Sequence, residues 1–313
     1  MEGSLSPEAF YGIAKETGLS VPKDLESRIK IKPSNNSFQS GDNSHYYAIK
    51  SCLELPLSFT QTPDNVRYAV MKLCETLAAE NTDQAEIRLT PLLHTLKGYT
   101  QEEILLGAIE ALQYASFLRV NVGFILCLCR GAKDAENKTT LELAEKHLGK
   151  GVCGFDLCKA YADDSCFTVK DSIEEYSDFL SYGSKHNIPF TVHTYPEGGT
   201  DEIWKALYLG AKRIGHGLSA ANDNELVKHL VSHNIPLELC PSEEYITGKF
   251  NHKSSYPLKA LTDAGVICTV NTGFRTVFDT NLPKEYAFIR SLDGITDRTI
   301  LKLKHNSDIS VFM

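Results

Sequence analysis

The sequence predicts a parallel α/β barrel of the (β/α)8, TIM type, and three observations carry that expectation. Short apolar runs alternate with helix-length stretches along the chain, the pattern of β/α units rather than of a sandwich or a bundle. Polar groups gather where those runs end: Phe190-Thr-Val-His193 leads to Glu197 at a glycine-rich turn, and Arg213-Ile-Gly leads to His216. Strand ends are where such barrels keep their chemistry. The length of 313 residues suits one barrel with insertions, so residues 1–313 are expected to form a single domain.

Taken in order, Ser6 is an N-cap candidate, Pro7 suits a first helical position, and a helix is expected to run to about Thr17 with Gly18 as its stop. Residues 30–44 are polar and turn-rich and read as a loop. Helical patterns at about 45–55 and 63–80 precede a strand over Ala85–Thr90. Helix Gln101–Phe117 leads to strand Asn121–Cys129, and helix Thr139–Leu148 leads to Gly151–Leu157. Helix Ser172–Lys185 leads to the strand ending at His193, and Asp201–Leu209 leads to the one ending at His216. Helix Asn224–Val231 precedes Ile235–Cys240, and Pro257–Ala264 precedes Val266–Thr272. That makes seven strands, one short of a closed barrel. The strand near Ala85 and the one ending near Thr272 should therefore lack a shared neighbour. A barrel missing a strand has two unpaired edges, so an oligomer, low solubility or a surrogate segment in the slot is expected.

The net charge of −8 and the isoelectric point of about 5.7 argue against nucleic acid or an anionic membrane surface as partner. No apolar run is long enough to span a bilayer. The first residues carry no basic and apolar leader pattern. The nine cysteines are odd in number and lack a Cys-x-x-Cys pair. They read as reduced, buried small hydrophobes of a cytoplasmic protein.

The His193 turn, Arg213-Ile-Gly-His216-Gly217, Gly154-Phe-Asp156-Leu157 and Glu238-Leu-Cys240-Pro241 together resemble the adenosine deaminase family, over nearly the whole chain. The resemblance implies hydrolytic deamination of a purine nucleoside by a zinc-bound water, since zinc makes hydroxide available at neutral pH. It also implies roles for particular residues. His193 matches a metal histidine, His216 the water-orienting histidine, and Glu197 the ring-protonating acid, in a turn one residue longer than the family's. The family's first strand ends in two further metal histidines, and Met1-Glu-Gly-Ser4 is similar to the tail of that motif. The chain thus begins where that strand should have finished, through either an incomplete gene start or a natural shortening covered by a loop or partner. At the last strand Gly273 stands in place of the metal aspartate and Phe274 in place of the purine-binding one, with Arg275 after them. Lys159 replaces a glycine whose backbone approaches the purine.

One surviving ligand cannot hold a catalytic zinc, which wants three or more. The leading expectation is a degenerate, zinc-free member with no cofactor, binding a purine nucleoside or an anionic small molecule, or acting through a protein partner. Two further readings remain: an active deaminase with rearranged ligands, drawing on His45, His94 or cysteines, and a metal-free acid–base enzyme using Glu197, His216 and Lys159. Lys159 and Arg275 would tilt the mouth towards anions, unless they pair outward with acids such as Asp163 or Asp279.

Overall fold

The computed structural model describes residues 1–31, 44–159, 172–195, 198–250 and 252–313. Seven strands form one parallel sheet in chain order: β1 (Gln84–Leu89), β2 (Asn121–Arg130), β3 (Val152–Lys159), β4 (Phe190–His193), β5 (Arg213–Gly215), β6 (Leu237–Leu239) and β7 (Cys268–Val270). Each pairs with the next, for example Gln84 with Asn121 and Val192 with Ile214. This is the curled sheet of a TIM-type barrel. β2 and β3 are buried along most of their length, as strands covered on both faces must be.

Four helices precede the sheet: α1 (Pro7–Thr17), α2 (Leu25–Ile29), α3 (Ser44–Phe59) and α4 (Pro63–Ala79). α1 is the helix expected, with Ser6 Oγ accepting from Ala9 N–H at 3.4 Å and Gly18 closing it at φ 74°. α3 continues through Pro56 to Phe59, past the expected end. Between the strands lie α5 (Gln101–Glu110), α6 (Leu112–Phe117), α7 (Asp134–Lys146), α8 (Ser177–Lys185), α9 (Gly199–Tyr208), α10 (Asn224–Ser232), α11 (Pro241–Ile246) and α12 (Leu258–Asp263). The expected helix 101–117 is thus two helices meeting at Ala111. α11, and the final α13 (Leu282–Arg290) and α14 (Asp297–Ile309), were not among the expected elements. Of the polar stretch 30–44, residues 32–43 lie outside the described residues. No helix among those described is long and apolar enough to cross a membrane.

The strands end the sheet at β1 and β7, which do not pair with each other, as seven strands require. Two pieces of chain close the two ends of this seam. At the mouth, the Met1 ammonium donates to Arg88 O (2.5 Å), and Thr276 N–H donates to Gly3 O (2.8 Å). At the floor, the tail after α14 folds under the strand beginnings. Phe312 N–H donates to Glu86 Oε1 (2.6 Å), and the Arg213 guanidinium lies 3.6 Å from the Phe312 ring centroid. Gly154 leaves room for that ring, where a Cβ would press on Phe312 and Pro189 O. Between these closures a cavity of about 840 Å³ extends from Met1 and Thr90 past Glu86 and Arg88 to Lys304 and Ser310.

Candidate functional site

The interior beside this cavity is charged where barrels of this type usually stack branched apolar side chains. Arg88 on β1 reaches across the barrel, donating from Nε to Asp156 Oδ2 and from Nη2 to Glu238 Oε2, both at 2.7 Å. Thr191 Oγ donates to the same Glu238 oxygen at 2.6 Å. Arg213 donates to Glu86 Oε2 at 2.6 Å, and its Nε lies 3.1 Å from Glu238 Oε1. Burial alone would raise the Asp156 pKa. The neighbouring His193 and Arg88 outweigh it and hold the carboxyl far below its usual range. Glu238 is likewise lowered, with Arg88 and Arg213 overcoming burial. Such pairs lock geometry more than they add net stability, because desolvation offsets most of the attraction.

His193 ends β4 with Nδ1 2.7 Å from Asp156 Oδ2, out of line for a hydrogen bond. Its ring meets the edge of His216 at a centroid distance of 5.3 Å and an interplanar angle of 80°. His216 follows β5 at φ 60°, an unusual backbone for a non-glycine residue, and its N–H donates to Glu238 O at 3.0 Å. Its Nδ1 lies 2.8 Å from Glu244 Oε1. Glu244 also accepts from Tyr256 OH (2.6 Å) and Cys240 N–H (3.2 Å). Beside a carboxylate that already accepts two donors, the proton of His216 is assigned to Nδ1, which leaves Nε2 as an acceptor. Burial first, then the positive Lys249, holds His216 well below the usual imidazole pKa. Burial pushes Glu244 upward.

The other candidates differ in their surroundings. Gly273 lies beyond β7 at φ 56°, and a Cβ there would collide with Glu243 Oε2. Phe274 packs over Gly3, which has no room for a side chain, and lies parallel to Phe278. Arg275 pairs with Glu80 at the end of α4, rather than with Asp279. Lys159 ends β3 with Nζ 4.5 Å from the Tyr195 ring centroid, and its N–H donates to Tyr195 OH. Glu197 and Asp163 lie outside the described residues. His94 is fully buried, with Nδ1 2.8 Å from Thr60 O and Nε2 2.8 Å from Glu2 Oε1, so it is spent on structure. The cysteines described are all free.

The structure thus brings His193, His216, Lys159, Gly273, Phe274 and Arg275 to the lining of one cavity, and adds Glu243 to that lining and Glu244 behind His216, two residues that sequence reading passed over. Glu243 and Glu244 belong to α11, a six-residue helix begun by Pro241. The signal was present in Cys240-Pro241-Ser-Glu-Glu, a proline at a first helical position followed by acids. Among the described residues no three His, Cys, Asp or Glu side chains are placed to share a metal ion. Those of this mouth therefore do not fit a catalytic zinc.

A curled parallel sheet with ionisable side chains at its strand ends defines a TIM-type barrel with its candidate site at the strand ends. The Adenosine deaminase family model matches residues 1–313. The adenosine deaminase of Haemophilus ducreyi is 30% identical over 319 residues, covering 100% of this chain and 90% of that protein. The chain belongs to the adenosine deaminase family, whose members are zinc-dependent. The Arabidopsis ADAL structure complexed with IMP superposes with a TM-score of 0.81 at 22% identity, covering 100% of this chain and 89% of the other. An amidohydrolase from Burkholderia ambifaria with bound Zn gives 0.78 at 15% identity, covering 99% and 83%. These structural likenesses concern the fold.

Proposed function

We propose that this chain binds a purine nucleoside or its monophosphate at the barrel mouth, and that hydrolytic deamination is lost or strongly impaired. One observation carries the reading. The position where the resemblance puts a metal aspartate is Gly273, and the described residues around it offer no three convergent ligands for zinc. Without a metal-bound hydroxide the nucleophile itself is missing, and the barrier rises by many kcal/mol. Ligand binding does not need that hydroxide. The cavity is large enough for a nucleotide, and the related Arabidopsis protein was solved with IMP. Lys159 at the β3 end is the candidate phosphate contact. Arg275, tied to Glu80, is a weaker one. Gly273 and Phe274 shape the wall beside the base, and Glu197, outside the described residues, is a further candidate acid.

Elemental analysis after dialysis, followed by an ultraviolet assay of adenosine-to-inosine conversion, tests this. The expected result is less than stoichiometric zinc and no turnover. One tightly bound zinc per chain, with conversion that vanishes in His216→Ala, would instead establish an active deaminase with rearranged ligands.

A further inference from the structure

Glu243 is the unexplained group of the mouth. It is 9% exposed and lines the cavity, yet among the described residues its carboxylate accepts no hydrogen bond. Its nearest charged neighbours stand back: His216 Nε2 at 3.6 Å and Lys249 Nζ at 4.0 Å, both from Oε1. A carboxylate that faces a cavity with no protein donor on it is an acceptor pair open to a ligand. Its other oxygen, Oε2, occupies the space that a side chain at Gly273 would fill. Where the resemblance puts a carboxylate at the β7 end, the site instead has one from α11, which follows the neighbouring strand β6, in nearly the same place.

We propose that Glu243, backed by the Nε2 lone pair of His216, is the residue that selects the ligand, and that it takes a planar edge bearing two N–H donors. The matching edge on a purine is guanine's N1–H and 2-amino group. An adenine presents a 6-amino donor beside the N1 acceptor, which would set a lone pair against a carboxylate oxygen. The carboxylate offers two acceptors and no donor, and paired contacts to such a group are the stronger, charge-assisted kind. Because Nδ1–H of His216 is fixed on Glu244, Nε2 adds a further acceptor and no donor. The inference rests on the ligand-binding reading above and narrows it from purines to 2-amino-6-oxopurines.

Calorimetric titration of the full chain with GMP, AMP and benzamidine separates the two ideas, since benzamidine carries the same donor pair without a purine. GMP is expected to bind at least about 10-fold tighter than AMP, the discrimination a good two-point contact gives. Glu243→Gln replaces an acceptor pair by an acceptor and a donor. It should weaken GMP and benzamidine by about 10-fold or more and narrow or reverse the preference over AMP. Benzamidine binding that is lost in Glu243→Gln, with neither nucleotide bound by either protein, would refute the purine reading and leave the donor-pair inference standing. Equal affinity for GMP and AMP, binding unaltered by Glu243→Gln, or no binding of any of the three overturns the inference. Melting of the unliganded proteins is the check on folding. With no hydrogen bond on the Glu243 carboxylate to lose, Glu243→Gln should leave Tm unchanged or higher. A lower Tm, marking Glu243 as a structural partner of Lys249, overturns the inference as well.

Discussion

At the scale of single residues, Gly273 and Glu243 are two halves of one exchange. Gly273 sits at φ 56°, where a side chain is strained, and its missing Cβ is the room that the Glu243 carboxylate uses. Gly273→Ala should therefore lower stability by about 1–3 kcal/mol, from backbone strain together with displacement of a buried carboxylate. Chemical denaturation of the variant measures it. The same substitution combined with Glu243→Ser should recover part of the loss, because only the strain then remains. A loss fully retained in the double variant would show that the two positions do not share that space. The glycine was legible in the sequence as a break in a resemblance. Its compensating carboxylate was not, because Glu243 lies 30 positions earlier on a helix too short to announce itself by periodicity.

At the scale of elements, the strands were the most legible part. Their apolar runs and polar ends stand out, and every expected strand has a counterpart. The terminal helices were not legible for a physical reason. α14 buries only Ile300, Leu303 and Asn306, too narrow an apolar stripe, with a polar member, to stand out by pattern. The tail that follows α14 holds the floor through a backbone donor (Phe312 N–H), a backbone acceptor (Ser310 O, from Arg213) and one ring. Phe312→Ala removes the ring from the Arg213 guanidinium and opens space below Gly154. The ring is half-buried, so a loss of about 1–3 kcal/mol in unfolding free energy is expected. An unchanged midpoint in urea would show that the tail is merely draped there.

Over the whole molecule, the fold class could be read from alternation and length. The charged interior could not, because a Glu or Arg inside a short strand looks in sequence like the solvent face of an amphipathic one. That interior sets the acid response. In the folded chain Glu2, Asp156 and Glu238 are held below their ordinary pKa values, as neighbouring positive charge outweighs burial. Their stabilisation is complete above the unfolded carboxyl range of about 4 and is lost progressively as pH falls from there towards the lowered folded-state values. His216, held down by burial, adds a loss that begins below about pH 6.5, where only the unfolded chain takes up its proton. Glu244 and Glu285, shifted upward by burial, oppose His216 between pH 7 and 5, so the net change there is small. Tm should therefore fall steeply only below about pH 4.5, and a profile flat to pH 3 would count against the ion-paired interior. The seam between β1 and β7 has a mechanical consequence of its own. A closed barrel is a hoop whose circumference is fixed by its strand number and stagger. Seven strands that stop short of closure make a spring clip, and its gape is free to vary until something bridges the jaws. Here the bridges are Met1 on Arg88 at one rim and Phe312 on Glu86 at the other, so the width of the mouth depends on these two contacts as well as on the sheet.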